Sequence, residues 1–172
     1  MTGKYHLLAA SSTGLAASVI YFLNKDPSII TFLEAGGLFV TASIAGLMPD
    51  VDLPKATAGK AFKPIALFIN KVFGHRTITH TGLWFIPLII LLFKTNWSFY
   101  LIGTTIGFLS HILSDTMTAG GIPWVYPLSK KRLALTRAMS GHHDFFLTIM
   151  ASGIIIGCLV FYHLYKNNLL QF

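Results

Sequence analysis

The sequence predicts an all-α, polytopic membrane protein with about five transmembrane helices and a short amphipathic interfacial helix. Two observations carry this. Of 172 residues, 53% are hydrophobic and 11% are charged, against about 25% charged in an ordinary soluble domain, so the chain cannot clothe a water-facing surface. The apolar residues are also gathered into five stretches, near 7–23, 29–48, 78–93, 97–113 and 145–165. A helix needs about 20 residues to cross roughly 30 Å of hydrocarbon. No linker, repeat or shift in composition divides residues 1–172, which read as a single integral membrane domain.

The first stretch continues through Val19, Ile20 and Phe22 beyond the small residues Ala16 and Ala17, which suits a retained anchor better than a cleaved signal. The second ends in PDVDLP, where Pro49 and Pro54 favour a stiff, non-helical turn. The loop that follows contains AFKPIALFINKVF, whose lysines alternate with apolar residues; Pro64 interrupts it, but a short helix on the membrane surface is expected. The third stretch, with GLWFIPLIILLF, is short for a crossing. The fourth ends in SHILSD. After it, IPWVYP places Trp124 and Tyr126 where headgroup anchors belong. The fifth, FFLTIMASGIIIGCLVFYHLY, is the clearest span. It contains the single cysteine, Cys158, which can form no internal disulfide and reads as apolar filler.

Five crossings put the chain ends on opposite sides. The N-terminal side receives ten of the thirteen Lys and Arg residues, leaving only Lys25, Lys94 and Lys166 on the other. By the positive-inside bias the N-terminus and the loops around 49–77 and 114–144 are cytoplasmic, and the C-terminus is outside. The short third span is the weak point of this assignment. The net charge of +7 is thereby read as orientation, not as a nucleic-acid surface. The aromatics sit within apolar runs and form no base-stacking platform.

The same side collects most of the histidines and aspartates, from every helix end. Ionisable groups beside hydrocarbon are costly, so their convergence implies a shared task. In HILSD, His111 and Asp115 stand four residues apart on one helix face. PDVD supplies Asp50 and Asp52, which can bind a cation together or divide into a ligand and a general base. GHRTITH supplies His75, Arg76 and His80. The two histidines are five residues apart, so a loop-to-helix transition must bring them together. Arg76 can neutralise charge on a phosphate. His6 opens the first span, and SGHHD offers His142, His143 and Asp144 before the fifth. Taken singly, each motif also suits a hydrogen-bonded helix end or a solvated turn; their shared side favours a metal site. Imidazole and carboxylate suit zinc, manganese or iron. The zincin HExxH, the serine elbow GxSxG and the Walker phosphate loop are absent from the sequence.

PDVD, GHRTITH and SHILSD, in that order and over nearly the whole chain, resemble the LexA-regulated, membrane-bound, predicted metal-dependent hydrolase family of the YdjM type. That resemblance implies a metal site of Asp50, Asp52, His75, His80, His111 and Asp115, joined by His6. The order of these motifs is also similar, more distantly, to the zinc-dependent phospholipase C and P1-nuclease group. The resulting expectation is an inner-membrane hydrolase holding one or two divalent ions, zinc or manganese. It would act on an ester or phosphoester, a lipid included, at the cytoplasmic leaflet. Asp52 and Arg76 are the catalytic candidates, as water-orienting base and phosphate-binding cation. The alternatives are a divalent metal-ion transporter or sensor, and a non-catalytic membrane partner protein.

Overall fold

The structure, a computed structural model, describes residues 3–135. Among these residues there are helices and no β-strand; one isolated antiparallel bridge pairs Ile122 with Leu133. Among the described residues, two segments are long and apolar enough to cross a membrane. They are α1 (Gly3–Leu23) and the run Ile29–Asp52, which comprises α2 (Ile29–Ala45) and a 3-10 turn (Met48–Asp52). Both turn large apolar side chains outward, Leu15, Val19, Ile30 and Phe32 among them, as a lipid-facing surface requires.

Their polar residues are satisfied locally. Ser28 caps α2 by accepting from the Thr31 N–H at 3.1 Å. Thr13 and Ser18 donate back to the carbonyls of Ala9 and Gly14. Ser11 donates to Ser43 across the α1–α2 contact at 3.0 Å, and Tyr21 donates to Glu34 at 2.9 Å.

The amphipathic segment folds as α4 (Lys63–Phe73), preceded by the one-turn α3 (Thr57–Ala61). Pro64 lies in the first turn of α4, where its missing N–H costs nothing, so it starts the helix and does not break it. Ile65, Phe68 and Val72 are exposed on one face, while Ala66 is buried on another.

The third stretch differs from a continuous span. It opens as two 3-10 turns, Ile78–His80 and Gly82–Trp84, and only α5 (Phe85–Lys94) is α-helical. Ten residues reach about 15 Å, half a hydrocarbon core. The polar run at 74–81 is held in turns by its own bonds: the Thr77 hydroxyl donates to Phe73 O and Gly74 O, and Thr81 donates to Trp124 O and Tyr126 O. Trp124, expected as a headgroup anchor, packs against Phe85 and donates from its indole to Thr116 Oγ1.

α6 (Phe99–Thr116) runs parallel to α2 in a close, glycine-lined contact. A Cβ at Gly103 would lie 2.5 Å from Leu38 O, and one at Gly107 2.0 Å from Ala42 O. Along the same interface Phe99 lies against Gly37, so α6 begins beside the middle of α2 and runs past its end. α1 crosses both, with Gly14 at Ala42 and Ala10 at Gly46. α5 leaves the end of the bundle near Trp124 and α6 returns to it. The fifth stretch, residues 145–165, lies outside the described residues.

Gly107→Ala should therefore force α2 and α6 apart at a backbone contact, lowering stability in detergent by about 1–3 kcal/mol. Gly36→Ala, where a Cβ meets nothing within 4 Å, should leave the melting temperature unchanged or raise it. Equal melting of the two variants would refute this packing.

Candidate metal centre

The α1–α2–α6 bundle ends in a polar cluster built from four parts of the chain. His6 comes from the first turns of α1, Asp50 and Asp52 from the 3-10 turn after α2, His75, Arg76 and His80 from the segment after α4, and His111 and Asp115 from the end of α6. His6, Asp52, His80, His111 and Asp115 are fully buried, and Asp50 nearly so. All seven metal ligands expected from the sequence thus stand together, with Arg76 among them. His142, His143 and Asp144 lie outside the described residues.

The chain enters the site through two left-handed residues, Gly74 (φ 78°) and Arg76 (φ 58°). Gly74 ends α4 and suits that conformation; Arg76 is held in it by its N–H, which donates to Asp52 Oδ2 at 3.0 Å. The resulting tight turn lets His75 and His80, five residues apart, approach edge to face with ring centroids 5.3 Å apart. His6 stacks on His111 at 3.6 Å.

Four ligand atoms converge at the centre. His80 Nε2 lies 3.3 Å from His111 Nε2, 3.3 Å from Asp115 Oδ2 and 3.6 Å from Asp50 Oδ1. His111 Nε2 lies 3.7 Å from Asp115 Oδ2 and 3.8 Å from Asp50 Oδ1. Donor atoms about 2.0–2.2 Å from one tetrahedral zinc stand roughly 3.3–3.6 Å apart, close to the separations of His80 Nε2 from His111, Asp115 and Asp50.

The outer hydrogen bonds decide what these atoms present. His111 Nδ1 lies 2.6 Å from Gly46 O, and a carbonyl only accepts, so this nitrogen carries the proton. The Thr79 hydroxyl spends its proton on Asp52 Oδ2 at 2.7 Å, so at 2.9 Å it accepts from His80 Nδ1. His75 Nδ1 donates to Asp52 Oδ1 at 2.8 Å. In all three neutral rings Nε2 is therefore left with its lone pair, as in histidines oriented towards a metal by a carbonyl, hydroxyl or carboxylate. Two such nitrogens and two carboxylate oxygens facing one another in a buried space require a positive charge. Either His80 takes a second proton or a cation sits among them.

These residues fall into two adjoining donor groups, each able to hold an ion: His6, His111 and Asp115, and Asp50, His75 and His80. His6 is the odd member. Neither of its ring nitrogens makes a hydrogen bond among the described residues, though the ring is wholly buried and Nε2 comes within 3.4 Å of Asp115 Oδ1. A buried imidazole in that condition is costly unless a further ligand completes it.

The two residues expected to be catalytic are engaged elsewhere. Asp52 accepts from His75, the Arg76 N–H and Thr79, and its backbone carbonyl accepts from Asn70. Arg76 donates through Nη2 to Asp115 Oδ1 at 2.8 Å and through Nη1 to Thr118 at 3.2 Å. Thr79, Gly46 and Thr118 were not singled out from the sequence. The only hint is position: Thr79 lies within GHRTITH, and Gly46 ends a helix whose last carbonyls need donors.

These motifs belong to a chain matched by the model of the YdjM inner membrane protein family over residues 1–170. The chain belongs to that family. Inner membrane protein YdjM of Escherichia coli (strain K12) is 31% identical, the alignment covering 74% of this chain and 66% of that one. The uncharacterized protein YvsG of Bacillus subtilis (strain 168) is 27% identical, covering 98% of this chain and 99% of that one. No solved structure matches. Membership in an inner membrane family agrees with the two membrane-length segments.

Asp52→Ala removes the acceptor of three donors in a buried site and should lower stability by about 3 kcal/mol or more, read as a shift in detergent melting. A loss under about 1 kcal/mol would show that Asp52 does not organise residues 75–80.

Proposed function

We propose that this protein is a metal-dependent hydrolase of the inner membrane, acting on an ester or phosphoester at the cytoplasmic leaflet. The observation that carries the reading is the convergence of His80 Nε2, His111 Nε2, Asp50 Oδ1 and Asp115 Oδ2 with their lone pairs turned inward. Zinc or manganese suits this mixed nitrogen and oxygen set. The flanking histidines, His6 and His75, extend the donors towards a second ion. A divalent cation held here supplies Lewis acidity, polarising a substrate oxygen and easing the deprotonation of water.

The chain's own residues divide the remaining work. Asp52, both of whose carboxylate oxygens are occupied, positions His75 and the loop instead of taking a proton. Arg76 positions Asp115 and offsets part of the carboxylate charge. Asp50 is the one carboxylate of the three whose side chain reaches solvent (8% exposed, against 0% for Asp52 and Asp115), and that access suits it to receive a proton from water. Five spans and a cytoplasmic site belong to the same proposal, on the charge asymmetry of the loops. A transport site is expected near the bilayer midplane between broken helices, whereas this cluster closes the end of the bundle.

Elemental analysis of detergent-purified protein should find about one or two zinc or manganese ions per chain, with little in His111→Ala and Asp50→Ala. Added metal should raise the melting temperature of chelator-stripped wild type and not of the variants, by mass action on the folded state. Labelled phospholipid or phosphoester should be cleaved only by loaded wild type. Negligible metal in all three proteins would leave His80 holding a proton and end the reading.

A further inference from the structure

A cavity of about 320 Å³ lies against the loop that carries the candidate centre. Thr77 lines it, between Arg76 and the turn bearing His80, together with Val72 and Phe73 of α4 and with Tyr126, Lys130 and Arg132 of the segment after α6. The volume is at the small end of ligand pockets, which run about 300–1,000 Å³, and suits a headgroup better than a whole lipid.

Its chemistry is two-sided. Lys130 and Arg132 bring two cations to it, and neither is paired with a carboxylate among the described residues. Asp50, Asp52 and Asp115 are turned into the cluster and face its histidines and Arg76. Val72, Phe73 and Pro123 supply the apolar part of the lining. Val72 belongs both to the cavity and to the exposed stripe of α4 that includes Ile65 and Phe68. Positions 65, 68 and 72 fall within one helix face, and in an inner membrane protein such a face lies along the hydrocarbon boundary. The cavity is therefore lined by two cations and by apolar residues, of which Val72 continues onto the exposed stripe of α4.

We propose that this cavity binds the phosphate headgroup of an anionic membrane phospholipid, with Lys130 and Arg132 on the phosphate and the acyl chains leaving past Val72 along α4. The proposal deepens the hydrolase reading by naming its substrate class, since the headgroup would then rest beside the loop that supplies His75 and His80. Headgroup binding itself needs no metal and no turnover. The source is a lipid and not free phosphate, because the site borders the exposed apolar stripe of α4 through Val72.

The test uses the full chain in detergent, stripped of metal by chelator. Its probes are dihexanoylphosphatidylglycerol, dihexanoylphosphatidylcholine and inorganic phosphate, titrated by calorimetry. The phosphatidylglycerol should bind saturably and more tightly than the other two. K130Q/R132Q should weaken it about 30-fold, each basic side chain near an anionic headgroup being worth about fivefold. The charge-keeping K130R/R132K should bind as wild type does, which separates loss of charge from misfolding. Equal affinity of wild type and K130Q/R132Q overturns the proposal. So does phosphatidylcholine binding as tightly as phosphatidylglycerol, and so does inorganic phosphate doing the same. Hydrolysis of labelled phosphatidylglycerol by metal-loaded wild type is scored separately. Its absence, with the binding result intact, removes the hydrolase reading and leaves the headgroup site standing.

Discussion

A carboxylate withdrawn from water has to be met by donors or cations, and Asp115 meets that demand by drawing in distant parts of the chain. Arg76 reaches one oxygen from the loop after α4, His6 approaches the same oxygen from α1, and His80 faces the other. The carboxylate can stand in this position only because α6 lies close along α2. The backbone contacts at Gly103 and Gly107 place His111 one turn further on, within reach of Gly46 O. Packing by small residues, the usual means of close helix approach in lipid, thus sets the coordinates of the polar cluster. Loosening that seam would leave these ionisable side chains without their arrangement.

The cluster also answers a problem that every helix end presents. The last carbonyls of a helix lack intrahelical donors, and here Gly46 O is taken by an imidazole that simultaneously fixes its own tautomer. Asp52 acts similarly on the other side, anchoring His75, Thr79 and the left-handed backbone of Arg76. Backbone strain, helix termination and ligand orientation are solved by the same few hydrogen bonds. The geometry of the histidines is therefore set before any ligand arrives.

Hydropathy made α1 and α2 legible, because each keeps an apolar face towards lipid and satisfies its few hydroxyls locally. The polar cluster was legible as well. Buried histidine and aspartate beside hydrocarbon are rare enough that their shared side implied proximity; six of the seven fall into the two donor groups, and Asp52 lies behind them, bonded to His75, Arg76 and Thr79. What hydropathy misjudged was the onset of the third segment, where Thr77, Thr79 and Thr81 trade side-chain bonds for helix and the first α-helical residue is Phe85. Average apolarity over a window does not register such breaks. The engagement of Asp52 and Arg76 was equally hidden. Residue type showed that they could do chemistry, while their partners, Thr79 and Thr118 among them, are set by a turn whose left-handed arginine no spacing rule foretells.

The brevity of α5 bears on the lipid around the protein. A helix of ten residues cannot match a hydrocarbon layer of about 30 Å, and a bilayer bordering a short hydrophobic element thins at a cost of fractions of a kcal/mol per Å. Along the flank where α5 lies, the headgroups would sink towards the hairpin, and Lys94 at its tip would stretch to meet water. With α5 set in the bilayer, the membrane beside this flank would be locally compressed, and acyl-chain length would act mechanically on the protein. Thicker bilayers would strain the hairpin and thinner ones relieve it, with no change in any residue of the site.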